Sequence, residues 1–286
     1  MKKRLIAIML ILSLVVALAG CAASENSKGE ENQQQSKNTD SEAGASTADG
    51  ETSASLLPED LVKEYKPKGF TDGEAKKAMF IVGDPRKYSV NYDLVYTAMK
   101  HFEEKGVEVE LRDLYDINFN PVITKDNFYY AKDGAGEPSA EIKKEQDFVT
   151  KADYIIFCYP NWHDTPTAIV KGYMESVFAK QFAYRDTQDG LEGLLKDKSI
   201  YTIMNAGFLG GGRGYIGDGV GIDDEAWDEY MKAFKVFDDD TAGFWGVQNK
   251  GRFVNDRTPA NNSENYKEEL EKLREDLVKK LDKDFF

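Results

Sequence analysis

Three short stretches of this 286-residue chain carry side chains suited to holding a ligand rather than only filling a core. In the first, Gly83 to Asn91 (GDPRKYSVN), Arg86 and Ser89 stand just ahead of a helical pattern. A helix start exposes unpaired amide hydrogens and the positive end of its dipole, so a guanidinium and a hydroxyl beside it make a phosphate seat. An ordinary capped turn with a solvated Arg86 and Lys87 accounts for the same residues. In the second, Tyr159 to Pro166 (YPNWHDTP), Tyr159, Pro160 and Trp162 supply an apolar surface. The turn from Asn161 to Asp164 supplies main-chain amides for the carbonyls and ring nitrogens of a flat aromatic ligand. The alternative is that Trp162 fills a gap under the next helix while His163 and Asp164 are solvated. The third, Asn205 to Gly221, is rich in glycine, and Gly212, Gly214 and Gly217 have the spacing of a dinucleotide fingerprint. That fingerprint must join a strand directly to a helix, and here the strand ends several residues earlier, so the spacing reads as chance. The loop is either a cover over a ligand or a plain flexible connection.

Other chemistries lack their residues. The chain has two cysteines and two histidines. Beyond Cys21 the only thiol is Cys158, which rules out a disulfide framework, a paired-cysteine redox site and a cysteine zinc site; His101 and His163 are too few for a histidine-rich metal centre. Cys158, inside an apolar run, reads as a small buried residue, His101 as a surface residue, and Asp238 to Asp240 as a solvated turn without the Gly and Glu of a calcium loop. A formal charge of −14 opposes nucleic acid as a partner.

The elements that must position these loops alternate between strand and helix. Ala78 to Val82 is a continuous apolar run suited to a strand buried on both faces. A helix follows, with Asn91 as its cap and Leu94, Val95, Ala98, Met99 and Phe102 on one face, and Gly106 ends it. Val107 to Leu111 is a second strand, about Glu141 to Lys151 a second helix, and Tyr154 to Tyr159 a third strand. A helix beginning at Thr165 and Pro166 comes next, with Pro166 at the first helical position. Ser199 to Met204, Asp224 to Val236 and Thr241 to Val247 read as strand, helix and strand, and a closing helix carries Leu270, Leu273, Leu277 and Leu281. Parallel strands need crossovers of a dozen or more residues, usually helical, so the expected fold is an α/β, doubly wound five-stranded parallel sheet. Ligands of such sheets bind beyond the carboxyl ends of the strands, which is where all three loops lie.

Ahead of this domain, Lys2, Lys3 and Arg4 precede an apolar stretch from Leu5 to Ala19, and small residues then lead to Cys21. The apolar stretch is shorter than the ~20 residues of a spanning helix. The pattern resembles a bacterial lipoprotein signal, which implies removal of residues 1–20 and lipidation of Cys21. Residues 21–75 read as a disordered tether, since the polar stretch from Ala22 to Ser55 cannot bury enough apolar area to offset its ordering entropy. Residues 76–286 form the expected domain, of a size for a single core. The expected location is extracytoplasmic, lipid-anchored to the outer face of the bacterial cell membrane.

Several motifs together carry a wider resemblance. Asp84-Pro85-Arg86 with Ser89-Val90-Asn91, VEVELRDLY from Val107 to Tyr115, FNPVIT from Phe119 to Thr124, Glu145-Gln146, and Tyr159 to Phe178 keep their order and spacing. They resemble the NAD(P)H:quinone oxidoreductase-like flavoproteins, a flavodoxin-fold family, over about residues 77–184. The resemblance implies FMN or FAD as cofactor. It places Arg86, Ser89, Val90 and Asn91 around the flavin phosphate; Pro160, Asn161, Trp162 and His163 along the isoalloxazine; Asn205, Ala206 and Gly207 on its other side; and Tyr215 as the candidate for proton assistance. It also implies a nicotinamide or other reductant, a small quinone-like acceptor, hydride transfer through flavin N5, and a homodimer. Two further classes fit a tethered domain of this kind: a flavodoxin-like electron carrier without turnover, and a solute-binding lipoprotein. The chain departs from the pattern at Asp84, where the family has a histidine. A carboxylate beside a phosphate weakens binding unless it is turned away or paired with Arg86. The loop before Pro166 is also one residue short, and the third loop lacks a histidine.

Overall fold

A computed structural model describes residues 61–125, 128, 136–163, 165–206, 232, 236–255, 259 and 263–286. Cys21, Asp164, Gly207, Tyr215, the signal segment of residues 1–20 and nearly all of the helix expected from Asp224 to Val236 lie outside the described residues.

The strands are β1 (Lys77–Val82), β2 (Glu108–Asp113), β3 (Tyr154–Pro160), β4 (Tyr184–Thr187), β5 (Gly190–Gly193), β6 (Ser199–Asn205) and β7 (Gln248–Asn255). The α-helices are α1 (Val90–Glu104), α2 (Ala140–Lys151), α3 (Ala168–Val177), α4 (Thr241–Trp245) and α5 (Tyr266–Phe285). Five strands form one parallel sheet in the order β2-β1-β3-β6-β7. The chain moves one way from β1 to β2 and the other way from β3 onward, so the order reverses between β1 and β3, and a crevice opens at their carboxyl ends.

Strand alternation sorts the core into two layers. In β1, Met79 and Ile81 face the side covered by α2, α3 and α4, while Ala78, Phe80 and Val82 face α1 and α5. Ile155, Phe157 and Tyr159 of β3 repeat the first side, and Ile156 and Cys158 the second. All six residues of β1 are buried, which is why the run is continuously apolar from Ala78. The α1 stripe and the α5 leucines are inward as expected.

Several expectations change. Ser89, not Asn91, caps α1: its hydroxyl accepts from the Tyr92 amide, and Asn91 lies inside the first turn. Helix α3 begins at Ala168 after a Thr167 cap, so Pro166 lies before the helix rather than at its first position. Thr241 to Val247 is not a strand. Its apolar residues form the short helix α4, whose Trp245 stacks on Phe178 at 4.0 Å, and the strand lies after it at Gln248. β7 pairs on one side only, as an edge, and Gly251 at φ 106° accompanies a register shift against β6, so its apolar signal is diluted. The antiparallel β4–β5 hairpin was not expected; Gly193 lets β5 pass against the main chain of Trp245 and Gly246.

The tether expected over 21–75 includes residues that pack on the domain. Val62 is buried, Leu61 and Tyr65 lie against the α1 layer, the Gly69 amide donates to the Val109 carbonyl at 3.1 Å, and the Arg274 guanidinium binds both the Leu61 carbonyl and Asp93. His101 is also inside rather than on the surface. It is 8% exposed and within 2.9 Å of Asp282.

Candidate functional site

The carboxyl ends of β1 and β3 are joined by a main-chain bond from the Gly83 amide to the Cys158 carbonyl at 3.0 Å. Thr167, the α3 cap, donates its hydroxyl to the Gly83 carbonyl at 2.8 Å. A Cβ on Gly83 would collide with Val170 and Thr167, so only glycine lets the first loop lie this close to α3. The second loop is held on its other flank. The Asn161 amide donates to the Asn205 carbonyl at 3.0 Å, and the Ala206 amide donates to the Asn255 carbonyl at 2.6 Å. Asn255, at the end of β7, also donates its side-chain amide to Asn205 Oδ1 at 2.8 Å. No sequence signal singled out Asn255, because its role depends on a strand that the apolar pattern misplaced.

Arg86, Ser89, Pro160, Asn161, Trp162, His163, Asn205 and Ala206 belong to loops or strand ends at this one edge, and Val90 and Asn91 open α1 beside it. Trp162 is 42% exposed and is not tucked under α3. The Arg86 guanidinium lies 5.4 Å from its ring centre and bridges the two loops. His163 holds φ at 52°, the left-handed region that non-glycine residues enter at a cost of about 1–3 kcal/mol. Strained backbone of that kind clusters at ligand clamps.

Two residues have an electrostatic imbalance that a ligand would relieve. Asn91 is 0% exposed and Asn161 is 6% exposed, and among the described residues neither side-chain amide has a hydrogen-bond partner on its oxygen or its nitrogen. Leaving a buried polar group unmade costs about 1–3 kcal/mol. Four such atoms at one sheet edge fit a ligand rich in carbonyls, ring nitrogens and hydroxyls.

The proposed phosphate groups, in contrast, are already engaged. The Asp84 carboxylate, 0% exposed, accepts from the Arg86 amide, from Arg86 Nε at 3.0 Å and Nη2 at 3.1 Å, and from Ser89 Oγ at 2.8 Å. Lys87 turns the other way, to Asp113 and Asp116. Tyr92 donates its hydroxyl to Asp113, and burial with that neighbouring carboxylate pushes the phenol far above its ordinary range. Asp113 was missed because its position, at the end of β2, becomes informative only when β2 is seen beside β1.

Behind the edge, Asp238 is buried rather than solvated, in a π-helical turn over Val236–Asp240. Burial pushes its carboxyl up to about 6, with Arg252 at 2.6 Å partly opposing the shift. Above its ordinary value of 3.8, the folded state holds this proton more firmly than the unfolded chain does. The stabilisation is therefore present below the unfolded value and lost as pH rises through about 6. The stability of the wild type relative to Asp238→Asn, measured by urea unfolding, should fall between about pH 4 and pH 7 by roughly 3 kcal/mol at most. A difference that is flat or rises over that range would refute the assignment. Cys158 is fully buried, and burial pushes its thiol up, as expected of an inert residue.

Comparison with known proteins gives these features a context. A family model described as a flavodoxin-like fold matches residues 76–281. A protein of Haemophilus influenzae named as an uncharacterized NAD(P)H oxidoreductase is 37% identical over 105 residues, 37% of this chain and 51% of that protein. The FMN-dependent NADH:quinone oxidoreductase of Macrococcus caseolyticus is 29% identical over 189 residues, 60% of this chain and 82% of that protein. The chain thus spans about half the length of curated relatives such as the Haemophilus protein. The solved NAD(P)H:quinone oxidoreductase of Methanothermobacter marburgensis superposes with a TM-score of 0.57 over 71% of this chain and 98% of that one, at 15% identity, a likeness of fold alone.

Proposed function

This chain belongs to the flavodoxin-like fold family, and from that premise we propose that it is a flavin-dependent NAD(P)H oxidoreductase of the quinone-reductase type, held at the outer face of a bacterial cell membrane by a lipid on Cys21. The observation that carries the flavin reading is the pair of buried amides, Asn91 and Asn161, without a partner among the described residues and placed by the carboxyl edge between β1 and β3. The names of its relatives supply the reaction and favour FMN over FAD. Bound at this edge, the flavin would supply the two-electron redox chemistry, taking a hydride from a nicotinamide and passing electrons to a small quinone-like acceptor.

The chain's own share is binding and orientation. The Asn161 and Asn91 amides offer both donors and acceptors to a planar heterocycle, so the heterocycle is held in one register. The Trp162 indole covers one border of the edge and excludes water there, and Arg86 steadies it from the other loop. The second loop is fastened to Asn205 by its main chain, so the ring would meet a preorganised wall rather than a loop that must be ordered on binding. Tyr215 stays the candidate for proton assistance, and a homodimer the expected assembly.

The full chain, purified in detergent, should carry the visible absorption bands of a flavin or take up added FMN, and should oxidise NADH or NADPH when a quinone is supplied. A colourless preparation that binds neither FMN nor FAD would remove the reading. Flavin binding without nicotinamide oxidation would leave an electron carrier. Membrane association that survives Cys21→Ser would remove the anchor.

A further inference from the structure

The anion seat at the start of α1 contains an anion of its own. Asp84 is fully buried, and each of its carboxylate oxygens accepts two hydrogen bonds: Oδ1 from the Arg86 amide at 2.9 Å and Arg86 Nε, Oδ2 from Arg86 Nη2 and Ser89 Oγ. Arg86 and Ser89 are the two side chains that would otherwise grip a phosphate, and both already donate to Asp84, Arg86 through Nε and Nη2. Ser89 also accepts from the Tyr92 amide, so its hydroxyl is used as donor and acceptor together. The next cation, Lys87, is shared by Asp113 and Asp116. Among the described residues, the mouth of α1 therefore sets three carboxylates, Asp84, Asp113 and Asp116, against two cations, Arg86 and Lys87.

A phosphate monoester brings about −1.5 to −2 further charges at neutral pH. Seated here it either strips Asp84 of its donors and leaves a buried carboxylate unpaired, or lies beside it at like charge, and both are costly. Among the described residues, the buried side-chain polar atoms without a partner at this edge are uncharged: the amides of Asn91 and Asn161. Together with the exposed Trp162 face, these groups recognise a neutral, planar, hydrogen-bonding ring.

We propose that Asp84 acts as a resident substitute for the ligand's phosphate, so that this site takes a flavin by its ring and sugar-alcohol hydroxyls while the terminal monoester adds little or nothing to affinity. The proposal rests on the flavin reading above and narrows it: the site is tuned to the uncharged part of the cofactor, and riboflavin and FMN compete on nearly equal terms.

Quenching of flavin fluorescence, with the full chain in detergent titrated into riboflavin or FMN, tests this without turnover. In the wild type the two dissociation constants should agree within about threefold, or favour riboflavin. In Asp84→Asn, which keeps an acceptor but loses the charge, FMN should tighten by about tenfold or more while riboflavin moves less than about threefold. Asp84→His provides a second uncharged or cationic replacement should the asparagine variant fold poorly, and unchanged riboflavin binding certifies that either variant retains its pocket. A wild-type preference for FMN of about a hundredfold, or an FMN to riboflavin ratio that is the same in wild type and variants, would overturn the proposal while leaving flavin binding intact. Failure of the wild type and both variants to bind either compound would instead overturn the flavin reading on which it stands.

Discussion

Replacing Arg112 by methionine is expected to destabilise the fold by about 3–5 kcal/mol, because it leaves Glu145 charged, buried and without its cation. Arg112 on β2 is 7% exposed and Glu145 on α2 is 2% exposed. The guanidinium binds the carboxylate at two points, with Nε donating to Oε2 at 2.9 Å, and it lies 4.3 Å above the Phe148 ring. The Tyr173 hydroxyl donates to the same Oε2 at 3.1 Å, and burial beside that carboxylate pushes the phenol far up. This network ties β2, α2 and α3 together beneath the site, and α3 is the helix whose Thr167 cap holds the first loop. Urea unfolding measures the loss. A double replacement, Arg112→Met with Glu145→Met, should recover most of it, since a well-packed apolar pair often matches a buried ion pair. A single variant within about 1 kcal/mol of wild type would show that the pair is open to water.

The second large effect acts on binding and should have the opposite sign for stability. Asn91→Leu or Asn161→Leu removes two buried polar atoms that lack partners among the described residues, so the flavin-free protein should hold or gain stability by up to about 2 kcal/mol. The same changes should weaken flavin binding by about ten- to hundredfold each, because the bound ligand is what those amides are kept for. Thermal unfolding of the apoprotein and fluorescence titration with riboflavin give the two readings on one preparation. Loss of apoprotein stability with unchanged binding would mean that the amides serve the fold and that the site lies elsewhere. Trading stability for a binding group in this way is common at functional sites.

Much of the sheet was legible in advance because its central strands are covered on both faces. β1 from Ala78 and β3 read as unbroken apolar runs, β6 as a largely apolar one broken by Thr202, and the stripes of α1 and α5 repeat at helical spacing, so type and order followed from burial. The misplaced strand failed for the converse reason. Ala242 and Trp245 are apolar because α4 plugs a gap beside Phe178, while β7, paired on one side and interrupted at Gly251, carries little of the pattern that marks a strand. His101 and Asp238 read as surface residues on their polarity, yet each is buried against a partner on another element, Asp282 and Arg252. Local composition carries no information about such partners.

From the amino-acid order alone came the alternation of strand and helix, the expectation that three loops meet at one edge, and the family resemblance borne by spaced motifs, because each depends on periodicity or on neighbours a few residues apart. Tertiary structure decided the rest. It placed the Asp84 carboxylate on the Arg86 and Ser89 donors, left the Asn91 and Asn161 amides without partners among the described residues, and exposed Trp162 rather than burying it. The Asp84 partners lie only two and five residues along the chain, so the sequence offered that pairing without choosing it. The outcomes at Asn161 and Trp162 turn on how the loop after β3 settles beside β1, which neither segment shows when read singly.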